Sequence, residues 1–301
     1  MQDFKYYAPT EVVFGKDAEE HLVEMINKYG GKKVLVHYGG HSAERSGLLA
    51  SVREKLNAAG IAFVELGGVK PNPRLTLVHE GIELCRKENV DFILAVGGGS
   101  VIDSSKAIGF GVKYDGDVWD IYARKYVPTD MLPVGVILTI PAAGSEMSDS
   151  SVITKEDGDL KIGYSNNICR PKFAIMNPVR TFTLPPYQTA CGATDIMMHT
   201  MERYFGKVDD MTLIDNIAEA LMRTVKDSVF HVLENPEDYR NRACIMWASS
   251  LGHNDLTGDR SYADFATHQI EHELSAMFDV AHGAGLAAVW PSWARYVMDE
   301  N

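Results

Sequence analysis

Phe92-Ile93-Leu94-Ala95-Val96-Gly97-Gly98-Gly99-Ser100-Val101-Ile102-Asp103-Ser104-Ser105-Lys106-Ala107-Ile108 is the stretch that decides the fold. It opens as a β-rich apolar run, passes through three glycines, and continues with the apolar spacing of a helix. Glycine lets the backbone adopt conformations closed to other residues and lets a ligand approach closely. A helix that starts there presents free amide groups and the positive end of its dipole, a natural seat for a pyrophosphate. Gly97, Gly98, Gly99 and Ser100 are therefore candidate nucleotide-binding residues. A tight strand-to-helix turn capped by Ser100 is the plainer alternative, and the pattern is not the Gly-x-Gly-x-x-Gly fingerprint.

Outward from this stretch the same alternation continues. Further β-rich runs are Lys33-Val34-Leu35-Val36-His37-Tyr38, Phe63-Val64-Glu65-Leu66 and Val134-Gly135-Val136-Ile137-Leu138, with helical spacing over residues 47–59 and 76–88 between them. Strand and helix in alternation predict a parallel sheet covered by helices on both faces. Two more runs, at residues 159–164 and 172–176, either extend that sheet or form a hairpin. A second glycine turn, Gly39-Gly40-His41-Ser42, follows an earlier β-rich run and makes Gly40 and Ser42 candidate cofactor contacts, although a simple loop fits those residues equally well. An acid at the end of such a strand would bind the ribose of NAD and repel a 2′-phosphate. None stands between Val34 and Ala43, which permits NADP; Glu44 follows directly.

Beyond Asn177-Pro178 and Leu184-Pro185-Pro186 the β-rich runs stop, and Pro185-Pro186 is expected to be a poor place for regular structure. Residues 187–206, 212–234, 238–251, 262–278 and 282–298 read as helices. The expected division is an α/β dinucleotide-binding domain over residues 1–180 and an all-helical domain over 181–301. In the helical half, Asp195 and His199 are four apart, a spacing that places both side chains on one helix face. His268 and His272 repeat that spacing, and His282 follows in Ala281-His282-Gly283-Ala284-Gly285. Each residue alone reads as a cap, a core group or a surface group. Their concentration, in a chain with 10 histidines, points instead to a divalent metal site. A carboxylate with imidazoles does not discriminate strongly among iron, zinc, nickel and cobalt. His268-Gln269-Ile270-Glu271-His272 has its Glu in the wrong place for a metalloprotease, which disfavours a hydrolase.

The chain has 301 residues, of which 46% are hydrophobic and 23% charged, a composition suited to folded domains with substantial cores. Lys and Arg number 29 against 41 Asp and Glu, a formal charge of −12 that would repel a nucleic acid backbone and does not attract an anionic membrane. No apolar run approaches a membrane-spanning length, and the N-terminus lacks a secretory pattern. Cys85, Cys169, Cys191 and Cys244 form no paired motif, consistent with reduced thiols and a cytoplasmic location.

These segments together resemble the iron-containing (group III) alcohol dehydrogenases. The resemblance is carried by Phe14-Gly15, Gly97-Gly98-Gly99-Ser100-x-x-Asp103, Pro141-Ala142-Ala143-Gly144-Ser145-Glu146, the Asp195/His199 helix, and His268 with His282-Gly283-x-Gly285-Leu286-Ala287. Thr183-Leu184-Pro185-Pro186 and the short proline-led loop resemble the NADPH-dependent butanol dehydrogenase and aldehyde reductase branch. The resemblance implies a dehydroquinate synthase-like architecture, NADP(H) in preference to NAD(H), and one divalent ion, Fe2+ or Zn2+, held by Asp195, His199, His268 and His282. It implies pyrophosphate contacts at Gly98, Gly99 and Ser100, with Asp103 and Thr139 nearer the nicotinamide and Lys161 near the ribose. His272 becomes the expected proton carrier beside the metal. The implied reaction is hydride transfer between the dinucleotide and a primary alcohol or aldehyde such as butanol or butanal, in a homodimer. Rival readings are a glycerol dehydrogenase or dehydroquinate synthase-like enzyme of the same plan, or an inert nucleotide-binding piece. Family members continue past the His-Gly-x-Gly motif, so the helical domain is expected to be truncated at Asn301.

Overall fold

The computed structural model describes residues 3–206, 211–258 and 263–298. The strands are β1 (Glu11–Phe14), β2 (Lys33–Tyr38), β3 (Ala62–Leu66), β4 (Phe92–Gly97), β5 (Val134–Leu138), β6 (Ser150–Lys155), β7 (Leu160–Ser165) and β8 (Phe173–Met176). Among them run helices α1 (Leu22–Lys28), α2 (Ser42–Arg45), α3 (Leu48–Ala58), α4 (Leu75–Glu88), α5 (Gly99–Val112) and α6 (Trp119–Tyr122). The C-terminal part contains α7 (Pro186–Tyr204), α8 (Thr212–Glu234), α9 (Tyr239–Leu251), α10 (Ala266–Phe278) and α11 (His282–Val297). The expected helix start at residue 262 lies outside the described residues. No helix among the described residues is long and apolar enough to cross a membrane.

Six strands form one sheet in the order β1-β8-β5-β4-β2-β3, every pairing parallel. Side chains alternate between its faces. Val34, Val36, Phe92, Leu94 and Val96 point into a core shared with Leu22, Met25 and Ile26 of α1 and Leu48, Leu49, Val52 and Leu56 of α3. Leu35, His37, Ile93 and Ala95 face the other way and are equally buried. Helix α5 packs on that side, where His37 Nε2 lies 2.8 Å from Ser104 Oγ. A strand buried on both faces cannot alternate apolar with polar residues, which is why these runs are apolar throughout.

Both alternatives for the two ambiguous runs occur, one in each. The run near residue 160 becomes β7 and forms an antiparallel hairpin with β6, whereas β8 joins the main sheet between β5 and β1. Pro185-Pro186 is not a gap in regular structure: Pro186 is the first residue of α7. Proline suits that position because its fixed φ matches the helix and its missing N–H would have had no helical partner.

The chain forms two compact units. One holds the sheet, Ala8–Ile140 with Ser145–Thr181; the other holds α7 to α11 and also takes in residues 3–7 and Pro141–Gly144. Within the helical unit the short proline-led segment sits on bare backbone. A Cβ on Gly144, whose φ is +65°, would lie 2.4 Å from Ser249 O, and one on Gly192 would lie 2.4 Å from Pro141 O.

Two predictions follow from this packing. His37 is wholly buried, its Nδ1 donates to Leu66 O at 2.7 Å, and burial lowers its pKa from an ordinary 6.5 to about 4. The ring stays neutral in the folded chain while the unfolded chain takes up a proton, so stability falls as pH drops from about 6.5 towards about 4. Urea unfolding at intervals across that window should show a shallower loss for His37→Asn than for the parent chain. The second concerns Gly283, where a Cβ would lie 2.1 Å from Cys191 O in α7. Gly283→Ala must push α11 off α7 and should lower stability by about 2 kcal/mol, read as a drop in Tm.

Candidate metal centre and nucleotide cradle

The order of the main sheet reverses between β2 and β4. From β2 the chain moves to β3 at one edge, then returns to β4 and proceeds towards β5 and β8. The carboxyl ends of strands flanking such a reversal border the crevice in which open α/β sheets bind ligands. Both glycine turns sit there: Tyr38 and Val96 are paired across β2 and β4, so Gly39-Gly40 and Gly97-Gly98-Gly99 leave the sheet side by side. The Thr139 amide, just past β5, donates to Gly97 O at 3.0 Å and extends the rim. Gly40, Ser42, Gly97, Gly98, Gly99, Ser100 and Thr139 are thus gathered at one end of three adjacent strands.

Gly98 is the N-cap of α5, and the first helical bonds run from the amides of Val101 and Ile102 to its carbonyl at 3.0 and 3.1 Å. The amides of Gly99 and Ser100 precede that ladder and supply the donors of the cradle. A Cβ at Gly97 would lie 2.5 Å from Val101 Cγ2, so the strand can meet its helix this closely only without a side chain.

Asp103 and Lys161 lie differently. Asp103 is one turn into α5, with Oδ1 accepting from Ser145 Oγ at 2.6 Å and Oδ2 from the Val152 amide at 3.0 Å. Both its carboxylate oxygens are therefore engaged within the protein. Burial raises its pKa, against the pull of the Lys106 charge. Lys161 stands on β7 and is among the charges acting on Asp103. Lys106 went unnoticed in the sequence, although it is three residues beyond Asp103 on the same helix. Its wholly buried ammonium donates to Ser145 O at 2.8 Å, Ser148 O at 3.0 Å and Ser150 O at 2.7 Å, and to the Ser145 hydroxyl at 3.0 Å.

In the helical unit, α7 carries Asp195, His199 and Glu202 at intervals of four and three residues, all on one buried face. Helix α10 supplies His268, Glu271 and His272, and α11 begins at His282. These helices pack together although α8 and α9 separate α7 from the other two in sequence. The His-Gly-x-Gly motif explains how α11 fits: Gly283 lies against the α7 backbone at Cys191, and a Cβ on Gly285 would come within 2.8 Å of Glu271 Oε1.

Asp195, His268 and His282 each offer a ligand atom within 4.8 Å of the other two. Asp195 Oδ1 lies 3.8 Å from His268 Nε2 and 3.8 Å from His282 Nε2. Those separations exceed hydrogen-bond length, and Asp195 Oδ1 and His268 Nε2 are both buried with no hydrogen-bond partner. Leaving such atoms buried and unmatched is costly, whereas a cation between them would satisfy both. The donor set therefore fits a divalent metal. Burial pushes the Asp195 carboxyl upward, but the neighbouring His199 and His282 rings outweigh it and hold the group well below the usual range. Burial, reinforced by His268, lowers His199 to about 4.

His199 is brought to this cluster but not into the trio. Its Nδ1 is hydrogen-bonded at 3.0 Å to the Asp195 main-chain oxygen, so its 2.9 Å approach to Oδ1 is a charge contact that leaves that oxygen without a hydrogen bond, and its ring centroid is 4.3 Å from that of His268. His272 joins Glu271 and His282 in a second trio within 4.8 Å, with its ring 5.7 Å from that of His282. Two carboxylates that the sequence reading passed over stand behind the histidines. Glu202 Oε1 accepts from His268 Nδ1 at 3.0 Å, and Glu271 Oε2 accepts from His282 Nδ1. The signal for Glu202 was present, since it continues the buried face of Asp195 and His199 by one more turn. Arg203 completes the surroundings, donating to His199 O at 2.8 Å and lying over the ring of Phe265, which enters α10 with a φ of +51°.

Residues 9–178 match the iron-containing alcohol dehydrogenase family, and residues 189–301 match the C-terminal domain of the Fe-containing alcohol dehydrogenase family. A probable NADH-dependent butanol dehydrogenase of Bacillus subtilis is 44% identical over 301 residues, covering 100% of this chain and 78% of its own length. An NADPH-dependent aldehyde reductase of Escherichia coli is 38% identical over 297 residues, covering 97% of this chain and 75% of its own. The crystal structure of an NADH-dependent butanol dehydrogenase from Thermotoga maritima superposes with a TM-score of 0.96 at 42% identity, covering 99% of this chain and 75% of that one. With both halves matched, and with a glycine cradle and a buried carboxylate–imidazole cluster in the corresponding units, the chain belongs to the iron-containing alcohol dehydrogenase family.

Proposed function

We propose that the chain is an NAD(P)-dependent alcohol dehydrogenase that interconverts primary alcohols and aldehydes of the butanol and butanal type. The observation that carries this reading is the pair of buried, unmatched ligand atoms, Asp195 Oδ1 and His268 Nε2, facing each other 3.8 Å apart with His282 beside them. Asp195, His268 and His282 hold one divalent ion, Fe2+ or Zn2+, and His199 is the fourth ligand, adjoining through Asp195. Such an ion acts as a Lewis acid on the substrate oxygen, and the dinucleotide carries the hydride.

The protein supplies binding and positioning. Gly98, Gly99 and Ser100 take the pyrophosphate on the free amides of α5, and Gly97 permits the close strand–helix approach. Thr139 lies towards the nicotinamide end, and Gly40 and Ser42 towards the ribose, with Lys161 as a further ribose contact. Asp103 acts on the cofactor through the segment it holds, because its own oxygens are engaged with Ser145 and Val152. His272, close to His282 and only partly buried, exchanges a proton with the substrate side of the centre.

At the ribose end the choice falls on NADP(H). No carboxylate stands between Val34 and Ala43, and Glu44, the first to follow, is held by Arg53 NH1 at 2.8 Å. The Arg53 charge beside Glu44 offsets the negative field that would repel a 2′-phosphate there. The names of the relatives include both NADH and NADPH, and what supports NADP(H) for this chain is the lack of an acid between Val34 and Ala43.

Butanal reduction by metal-stripped protein, with Fe2+ or Zn2+ restored, should show turnover that requires metal and is faster with NADPH than with NADH. Absence of turnover in every metal form despite dinucleotide binding would overturn the reading. His268→Ala should lose bound metal, measured by elemental analysis of the purified protein; normal metal content in that variant would remove His268 from the ligand set.

A further inference from the structure

Each imidazole in the Asp195 trio is backed by its own buried carboxylate, and the two carboxylates are spent in the same way. Glu202 of α7 is 5% exposed and Glu271 of α10 is 0% exposed. A carboxylate only accepts, so the Nδ1 atoms of His268 and His282 must donate to Glu202 Oε1 and Glu271 Oε2. With Nδ1 of each ring turned to its carboxylate, Nε2 is the atom each ring points towards Asp195, 3.8 Å from Oδ1 in both cases.

We infer that Glu202 and Glu271 are positioning residues for the metal centre, each fixing the tautomer and aim of one ligand histidine without touching the ion. The inference rests on the ligand set proposed above. It assigns Glu271 to the shell behind His282 even though Glu271, His272 and His282 could by distance form a ligand trio of their own. The reason is that both Glu271 oxygens are already engaged, Oε2 with His282 Nδ1 and Oε1 with the Ser275 hydroxyl. Outer carboxylates of this kind orient the ring and raise its basicity as a ligand.

Glu202 has a second duty. Its Oε1 also accepts from the His268 amide at 3.0 Å and from the Thr267 hydroxyl, so it caps the start of α10, where Phe265 provides no side-chain cap. Gly285 protects the other dyad, since any side chain there would press on Glu271.

The test is Zn2+ affinity of the full chain by chelator competition, with Co2+ absorption and the imidazole 15N spectrum as independent readouts. Glu202→Gln and Glu271→Gln should each weaken Zn2+ binding by about 10- to 100-fold. They should leave the Co2+ band pattern of the parent intact, because the coordinating atoms are unchanged. Thr267→Val, which removes a capping partner of Glu202 but not its bond to His268, should bind Zn2+ as the parent does. Parental affinity in both Glu→Gln variants overturns the inference, as does a Thr267→Val loss equal to that of Glu202→Gln. So does an altered Co2+ spectrum in Glu271→Gln together with loss of Zn2+ in His272→Ala, which would make Glu271 a ligand. In the zinc-loaded parent, the 15N spectrum should show protonated Nδ1 on both rings, and metal-bound Nδ1 on either would equally overturn it. If instead Asp195→Asn and His268→Ala bind Zn2+ as tightly as the parent, the ligand set itself has failed, an outcome distinct from those above.

Discussion

A carboxylate buried among imidazoles organises the helical unit. Asp195 is 3% exposed, and His199, His268 and His282 surround it from three helices. Burying an ionised group is unfavourable unless opposite charge and hydrogen bonds compensate. Here the groups that face it come from α7 itself, from α10 and from α11, and a cation between them would complete the compensation, so the three helices must pack together for the charge to be tolerated. Packing and chemistry thus impose the same arrangement: whatever brings the ligand atoms within reach of a cation also brings α7, α10 and α11 into contact.

The sheet-bearing unit solves a related problem with the opposite sign. Lys106 is wholly buried, and desolvation lowers its pKa, yet its ammonium is surrounded by oxygens from Ser145, Ser148 and Ser150. Asp103, one turn earlier on α5, takes the Ser145 hydroxyl and the Val152 amide. Helix α5 therefore binds the segment leading into β6 through two side chains on one face, while the amides of its first turn stay outside the helical ladder. A cradle built on a helix anchored in this way keeps its donors in place without a ligand, which lowers the ordering cost of binding.

Much of the α/β half was legible because periodicity and glycine placement are local properties. The run from Phe92 to Val96, the glycines after it and the apolar spacing beyond specify a strand, a turn and a helix from neighbouring residues alone. The hairpin was less legible: β6, Ser150–Lys155, was passed over, because Ser151 and Thr154 are polar yet buried. The burial of Ser151 depends on a partner far along the chain, since its hydroxyl donates to Asp103 O. Pro185-Pro186 was misread for a local reason, since a proline that interrupts a helix interior is well suited to its first turn.

The sequence by itself determined which residue types could carry the chemistry: Asp195 and His199 one turn apart, His268 and His272 one turn apart, and glycines beside His282. Spacing along a helix fixes which side chains share a face, and that much needs no tertiary information. Only the tertiary structure decided which of them converge. It placed ligand-type atoms of Asp195, His268 and His282 within 4.8 Å of one another and tied His199 to Asp195. It also set Glu202 against His268 and Glu271 against His282: periodicity could place Glu202 on the Asp195 face, but a hydrogen bond that spans 66 residues leaves no trace of its partner in the chain.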